Sequence, residues 1–255
     1  MNSEKEVKMI VDVHTHVGYT KYVGDTLNAE RLLRIMDETG VDKAVLIPAL
    51  SAGRPLEAAK AAEEVKKAPD RFVAFAAVNP KEKDAVAKLE EAVVKYGAKG
   101  LKIHPTFQAL PADDEVWVYP LVEKAQELKI PVMFHSGEGP YATPWQIGLV
   151  AMDFPKVTII MAHMGLNSLS YTEGAIKMAK KASNLILETA GVVYDNPITK
   201  ACQAIGSDRI IFGSDAPINN PLHEIKKIQV AKISEEDKKK ILGENIARIL
   251  GLWGY

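Results

Sequence analysis

Four of the six histidines and one aspartate stand at the ends of short apolar runs, and together they have the composition of a transition-metal site. Asp12-Val13-His14-Thr15-His16 closes the first run. Residues i and i+2 of a strand point to the same side, so His14 and His16 project together, with Asp12 one step deeper. Two imidazoles on one rigid edge can clamp a metal at two points, although His-x-His alone is a weak signal. The pattern repeats further along. His135 ends Val132-Met133-Phe134, His163 ends Ile159-Ile160-Met161-Ala162, and Asp215 follows Ile210-Ile211-Phe212-Gly213-Ser214. A divalent ion held by imidazoles and a carboxylate lowers the pKa of bound water towards about 7 and polarises a substrate carbonyl. The competing reading makes each residue a hydrogen-bonded strand end, but five such groups at one level of a fold favour a common site.

The elements that must position these residues alternate regularly. Near-continuous apolar runs cover Met9–His16, Val41–Ala49, Phe72–Asn79, Lys99–His104, Val132–Ser136, Val157–His163, Leu185–Ala190 and Ile210–Ser214, and they read as parallel strands buried on both faces. Amphipathic helices are expected between them over Asn28–Thr39, Leu56–Lys67, Glu82–Tyr96, Glu115–Leu128, Pro144–Asp153, Glu173–Ser183, Pro197–Ile205 and Leu222–Val230. Gly40 stops the first helix. An extra C-terminal helix is expected over Glu235–Leu250, with Ser234 and Asp237 at capping-box spacing. Eight alternations argue for an α/β fold of the (β/α)8 TIM-barrel type, one domain over 1–255, whose active site lies at the C-terminal strand ends. A doubly wound sheet is the alternative, but no Gly-rich phosphate loop follows the first strand.

At this point the chain resembles a known family. Asp12-x-His14-x-His16 on the first strand, His135 on the fifth, His163 on the sixth and Asp215 on the eighth are similar to the amidohydrolase superfamily. The branch is the one related to aminocarboxymuconate-semialdehyde decarboxylase and pyrone-dicarboxylate lactonase. Gly100-Leu101-Lys102-Ile103-His104-Pro105 and the closing segment from Ile241 to Leu252 resemble it too. The resemblance implies that His14, His16, His135 and Asp215 are metal ligands, and that His163 is either a further ligand or a neighbour that handles protons. Asp215 and His163 are the implied catalytic acid–base groups.

Lys102 ends the fourth run with the same facing as His104. Three readings stay open: a carboxylated lysine bridging two metals, a cation for a substrate carboxylate or the metal site, and a structural ion pair. The resembling branch implies a single metal. His104, ahead of Pro105, either lines the pocket or is a structural imidazole. Arg54, in the loop after the second run, either clamps a carboxylate or is an exposed loop residue. Tyr19, Tyr22, Phe107, Tyr141 and Trp145 fall in the same set of loops and either wall the pocket or pack the loops. Glu188 either reaches the site or fills a barrel layer. His223 is expected in solvent, Cys202 in the core, and Lys238-Lys239-Lys240 on the wet face of the last helix.

Bulk properties bound the function. The chain has 255 residues, a length suited to one barrel, and a formal net charge of −1 without a basic block. Nucleic-acid binding is therefore not expected. The single cysteine permits no intrachain disulfide. The charged start lacks the apolar core of a signal peptide, and no stretch reaches the roughly 20 apolar residues that span a bilayer. A cytoplasmic enzyme for a small-molecule substrate, working without a membrane, is expected; a homodimer is common in the resembling branch. The leading expectation is a metal-dependent hydrolase of a small amide, lactam, lactone or ester using activated water. The alternative is a non-oxidative decarboxylase of a small carboxylated ring or unsaturated acid. Zinc is the expected ion, with manganese, iron or cobalt compatible with the donors.

Overall fold

β-branched and aliphatic runs that carry no polar face can satisfy their backbone only with neighbours on both sides, and here they do so as eight parallel strands. The computed structural model describes residues 9–20, 23–51, 54–55, 57–137, 139–166 and 168–252. The strands are β1 (Val11–Thr20), β2 (Lys43–Pro48), β3 (Phe72–Ala74, resuming at Ala76–Ala77), β4 (Leu101–Ile103), β5 (Val132–Phe134), β6 (Ile159–Met161), β7 (Leu185–Glu188) and β8 (Ile210–Ile211). Successive strands pair in parallel from β1 to β8. The ring closes between β1 and the segment that follows β8. Val13 N donates to Phe212 O (3.2 Å), Asp215 N to His14 O (2.6 Å) and His16 N to Ala216 O (2.7 Å). The expected barrel is the observed one.

Helices α1 (Ala29–Thr39), α2 (Ala58–Lys66), α3 (Ala85–Val94), α4 (Tyr119–Leu128), α5 (Pro144–Asp153), α6 (Leu169–Lys181), α7 (Asn196–Ile205) and α8 (Pro221–Val230) fill the crossovers. Their ends follow local chemistry. Asn28 caps α1 by accepting from Arg31 N, and Gly40 ends it in the left-handed region. Thr143 and Gln146 form a capping box on α5.

Two apolar layers result. Outward-facing strand residues such as Leu101, Ile103, Phe134, Leu187 and Phe212 pack under the helices. Inward-facing Val11, Val13, Val45, Ile47, Phe75, Met133, Ile160, Ile186 and Ile211 fill the barrel itself. The C-terminal segment closes its lower end. α9 (Glu235–Lys239) passes through a wide π turn over Lys240–Glu244 into α10 (Asn245–Leu250), which corrects the single continuous helix expected there. The Ser234–Asp237 capping box is present. Ile246 and Leu250 join the barrel interior, while Asn245 Nδ2 donates to Ser207 O and Ile210 O at 2.8 Å each. Cys202 is half-buried at the edge of the outer layer, less enclosed than expected, and His223 is exposed as expected.

The seal at the lower end leaves no room for a side chain at Gly243. A Cβ there would stand 2.0 Å from Met9 O, a backbone atom that cannot rotate away. Gly243→Ala should therefore cost about 2–3 kcal/mol of stability in equilibrium denaturant unfolding, with the m-value unchanged.

Candidate metal centre

Alternation along the strands decides which residues reach the barrel mouth. On β4, Leu101 and Ile103 face the helices, so Lys102 faces inward. On β5 the inward Met133 is followed two residues later by His135. On β7 the inward Ile186 is followed by Glu188, which settles that residue's facing by the same rule. β1 departs from strict alternation. Its pairing with β2 shifts between Asp12 and Thr15, where three steps on β1 oppose two on β2. This bulge lets Val11 and Val13 face the interior and then brings His14 and His16 inward as well. Asp12, expected one step deeper than the histidines, does not line the cavity. Its carboxylate accepts from His14 N (3.0 Å) and Ser214 N (2.9 Å) and so ties β1 to the segment after β8. Burial pushes the Asp12 carboxyl up to about 7 against the pull of these bonds.

Two site residues occupy strained backbone. His163 (φ 69°) and Asp215 (φ 64°) lie in the left-handed region that non-glycine residues seldom adopt. His163 lies in the tight turn Ala162–Gly165 that follows β6, Asp215 stands four residues beyond β8, and both side chains line the mouth.

The mouth is a cavity of about 150 Å³, lined by His14, His16, Lys102, His104, His135, His163 and Asp215 together with the apolar side chains of Leu50, Phe107, Leu166 and Ile218. One donor atom each from His14, His16 and Asp215 falls within 4.8 Å of the others, and so does one each from His14, His163 and Glu188. His16 Nε2 is 2.8 Å and His14 Nε2 is 3.4 Å from Asp215 Oδ1. Two imidazole nitrogens and a carboxylate oxygen at this spacing fit a borderline divalent ion. The His163 ring centroid is 5.0 Å from that of His14 and 4.8 Å from that of His135. His135 stacks on His104 at 3.8 Å, and His104 stacks on Phe107 at 3.9 Å.

Proton positions follow from the partners. His14 Nδ1 faces Glu188 Oε2 at 3.2 Å, so this nitrogen carries the hydrogen and Nε2 keeps its electron pair for the cavity. His163 Nδ1 donates to Ala190 O (3.0 Å), which leaves its other nitrogen as an acceptor. Burial first, then the neighbouring His135 and Lys102, lowers His163 to about 3, so it is neutral. Burial also lowers Lys102 and raises Glu188. Burial alone would raise Asp215, but the hydrogen bond from His16 and the charges around it hold this carboxyl below its ordinary range.

Glu188 is the residue that sequence reasoning left open and the structure places at the centre. It is 0% exposed and accepts from His14 Nδ1, from His163 N (3.0 Å) and from Ala190 N. Its signal in the sequence was the Ile186–Glu188 spacing. Gly213 makes room for it, since a Cβ there would lie 2.3 Å from Glu188 Oε1 and 2.7 Å from His14 Cβ. The other candidates divide. Phe107 lines the cavity, whereas Tyr19 and Trp145 are largely exposed and Tyr141 does not line it. Tyr22 lies outside the described residues. Arg54 pairs its backbone with Ser51 in a two-residue strand beyond β2.

Glu188→Gln should keep the fold but blur the orientation of His14. A roughly 10–100-fold loss of Mn2+ affinity, read by competition with a chelating dye, is expected.

Comparison with known proteins places this geometry in context. A gamma-resorcylate decarboxylase of Polaromonas sp. is 27% identical over 273 aligned residues, covering 83% of this chain and 84% of its own length. The fold of an uncharacterised TIM-barrel protein from Bordetella bronchiseptica superposes with a TM-score of 0.81 at 20% identity, covering 96% of this chain and 99% of that one. A manganese-bound 5-carboxyvanillate decarboxylase from Novosphingobium aromaticivorans superposes with a TM-score of 0.78 at 18% identity, covering 95% and 96%. These relatives overturn the hydrolase expectation: a decarboxylase, the alternative weighed from the sequence, is what the aligned proteins are named. The amidohydrolase family profile matches residues 11–252, and the chain is an enzyme of the amidohydrolase family.

Proposed function

We propose that the protein is a divalent-metal-dependent, non-oxidative decarboxylase of a small hydroxylated aromatic acid, with residues 1–255 acting as one catalytic domain. The observation that supports this most directly is Lys102. Its side chain is 1% exposed and borders the cavity, and among the described residues its Nζ reaches His14 Nε2 (3.0 Å) and Met133 Sδ (3.6 Å). Burial disfavours its charge more than the nearby Asp215 and Glu188 carboxylates, which do not touch it, favour it, so a further anion in contact is stabilising. A substrate carboxylate meets that need, and the neutral carbonyl of a lactone or amide does not. The named chemistry of the gamma-resorcylate decarboxylases supports the same class.

Ring decarboxylation exchanges a carbon–carboxylate bond for a carbon–hydrogen bond. The electron pair stays on the ring, CO2 departs, and a proton must arrive at the same carbon. We assign His14, His16, His135 and Asp215 to the metal. When bound, the ion supplies a Lewis acid that gathers substrate oxygens and draws charge off the ring. Asp215, ionised at neutral pH, takes the proton of the ring hydroxyl and returns it to the carbon that loses CO2. His163, neutral with one nitrogen committed to Ala190 O, holds its acceptor towards the cavity and relays that proton. Lys102 holds the carboxylate. His104 braces His135 by stacking and, with Phe107, offers a flat surface to a ring. Leu50, Leu166 and Ile218 exclude water from it. The side chain of Arg54, expected from sequence to clamp a carboxylate or to lie exposed, falls outside the described residues. The donor set accepts several divalent ions, and the manganese of the Novosphingobium relative favours manganese over the zinc expected from sequence.

Mn2+-loaded protein should convert 2,6-dihydroxybenzoate to resorcinol with stoichiometric CO2, followed by chromatography and gas analysis. Asp215→Asn should lower kcat roughly 10²–10⁴-fold at saturating Mn2+. No CO2 from any member of a hydroxybenzoate panel would sink the proposal.

A further inference from the structure

We propose that Lys102 is a stand-in cation, whose ammonium occupies the metal-facing electron pair of His14 until an ion displaces it. The inference rests on the metal-dependent reading above but concerns how the chain behaves before the ion arrives.

The geometry is specific about one nitrogen. Glu188 Oε2 fixes the hydrogen of His14 on Nδ1, so Nε2 presents its lone pair. Lys102 Nζ lies 3.0 Å from that nitrogen, and Asp215 Oδ1 lies 3.4 Å from it. An imidazole lone pair and a carboxylate oxygen at such separation repel each other unless positive charge is shared between them. In the absence of a metal Lys102 supplies that charge on the His14 side, while His16 Nε2 lies 2.8 Å from the Asp215 oxygen. One nitrogen has one lone pair, so the ammonium and the ion cannot both use it. Loading must therefore move Nζ off His14. Lys102 sits on the inward face of β4, between Leu101 and Ile103 and beside Met133, and no ion pair of its own holds it in place among the described residues. Its four-carbon stem allows the head to swing while the backbone stays fixed.

Two consequences follow. A share of the ion's binding free energy goes into evicting the lysine, so Lys102 weakens and thereby sets metal affinity. The evicted ammonium then faces the cavity without an acceptor, which makes it available to a carboxylate only after loading. Metal and acid binding become mutually reinforcing through one side chain.

The test uses full-length protein, Mn2+ as the probe, and Lys102→Met. Competition against a chelating dye should show the variant binding Mn2+ about tenfold tighter than wild type. A spectroscopic readout separates eviction from simple charge repulsion. In metal-free protein with 15N-labelled histidine, the Nε2 resonance of His14, assigned by its loss in His14→Asn, should move towards the free-lone-pair position in Lys102→Met. Lys102→Gln provides the same comparison if the methionine variant does not fold. Unchanged or weaker Mn2+ affinity, or an unmoved resonance, overturns the exchange while leaving the decarboxylase reading intact. Failure of wild type to take up Mn2+ removes the metal-dependent reading and the exchange with it.

Discussion

A carboxylate with no access to water must be surrounded by donors, and the donors that Glu188 collects are the ones that define this site. It accepts from the ring of His14 on β1, from the backbone of His163 beyond β6 and from Ala190 beyond its own strand. Three segments distant in sequence are thereby held in register around a single pair of oxygens. The orientation of His14, and hence the direction of the electron pair it presents, follows from that contact. Asp12 acts in a complementary way at the layer beneath, by holding the first strand to the segment after the last. The cavity is the space left above these two buried acids.

Most of the architecture was legible because parallel strands covered on both faces leave an unmistakable apolar signature. The eight runs and the helices between them lie where the pattern put them, with ends shifted by a few residues. The candidate ligands were legible because each stands at the end of such a run. What pattern could not supply was local departure from regularity. The bulge in β1 turns Asp12 away from the face it would share with His14 and His16 by simple alternation, and makes it a strut. The wide turn at Lys240–Glu244 has no composition of its own to announce it. Whether Glu188 faced the cavity depended on parity counted from Ile186, and parity is only as good as the assigned strand start. The aromatic loop residues were the least readable, since nothing in Tyr19 or Trp145 distinguishes a wall from a surface.

The reaction class was harder to read than the fold for a chemical reason. Imidazoles and a carboxylate around a divalent ion serve a bound water and a bound organic acid equally well. On the proposed reading the discriminating group is the cation that accompanies them, and the sequence left Lys102 with three open roles. A lysine at a strand end reads as a metal-bridging group, a cation for a carboxylate or an ion-pair partner. Only its enclosure, with a histidine and a thioether as its direct contacts among the described residues, gives it meaning.

The left-handed backbone at His163 and Asp215 carries an implication for how this protein could evolve. Each position holds about 1–2 kcal/mol of conformational cost that glycine would not bear. Glycine at either place would relieve that cost but forfeit the contacts the side chain makes, His163 Nδ1 to Ala190 O and Asp215 Oδ1 to His16 Nε2. Backbone ease and rim side chains are thus set against each other at two points, and in both the chain keeps the side chain.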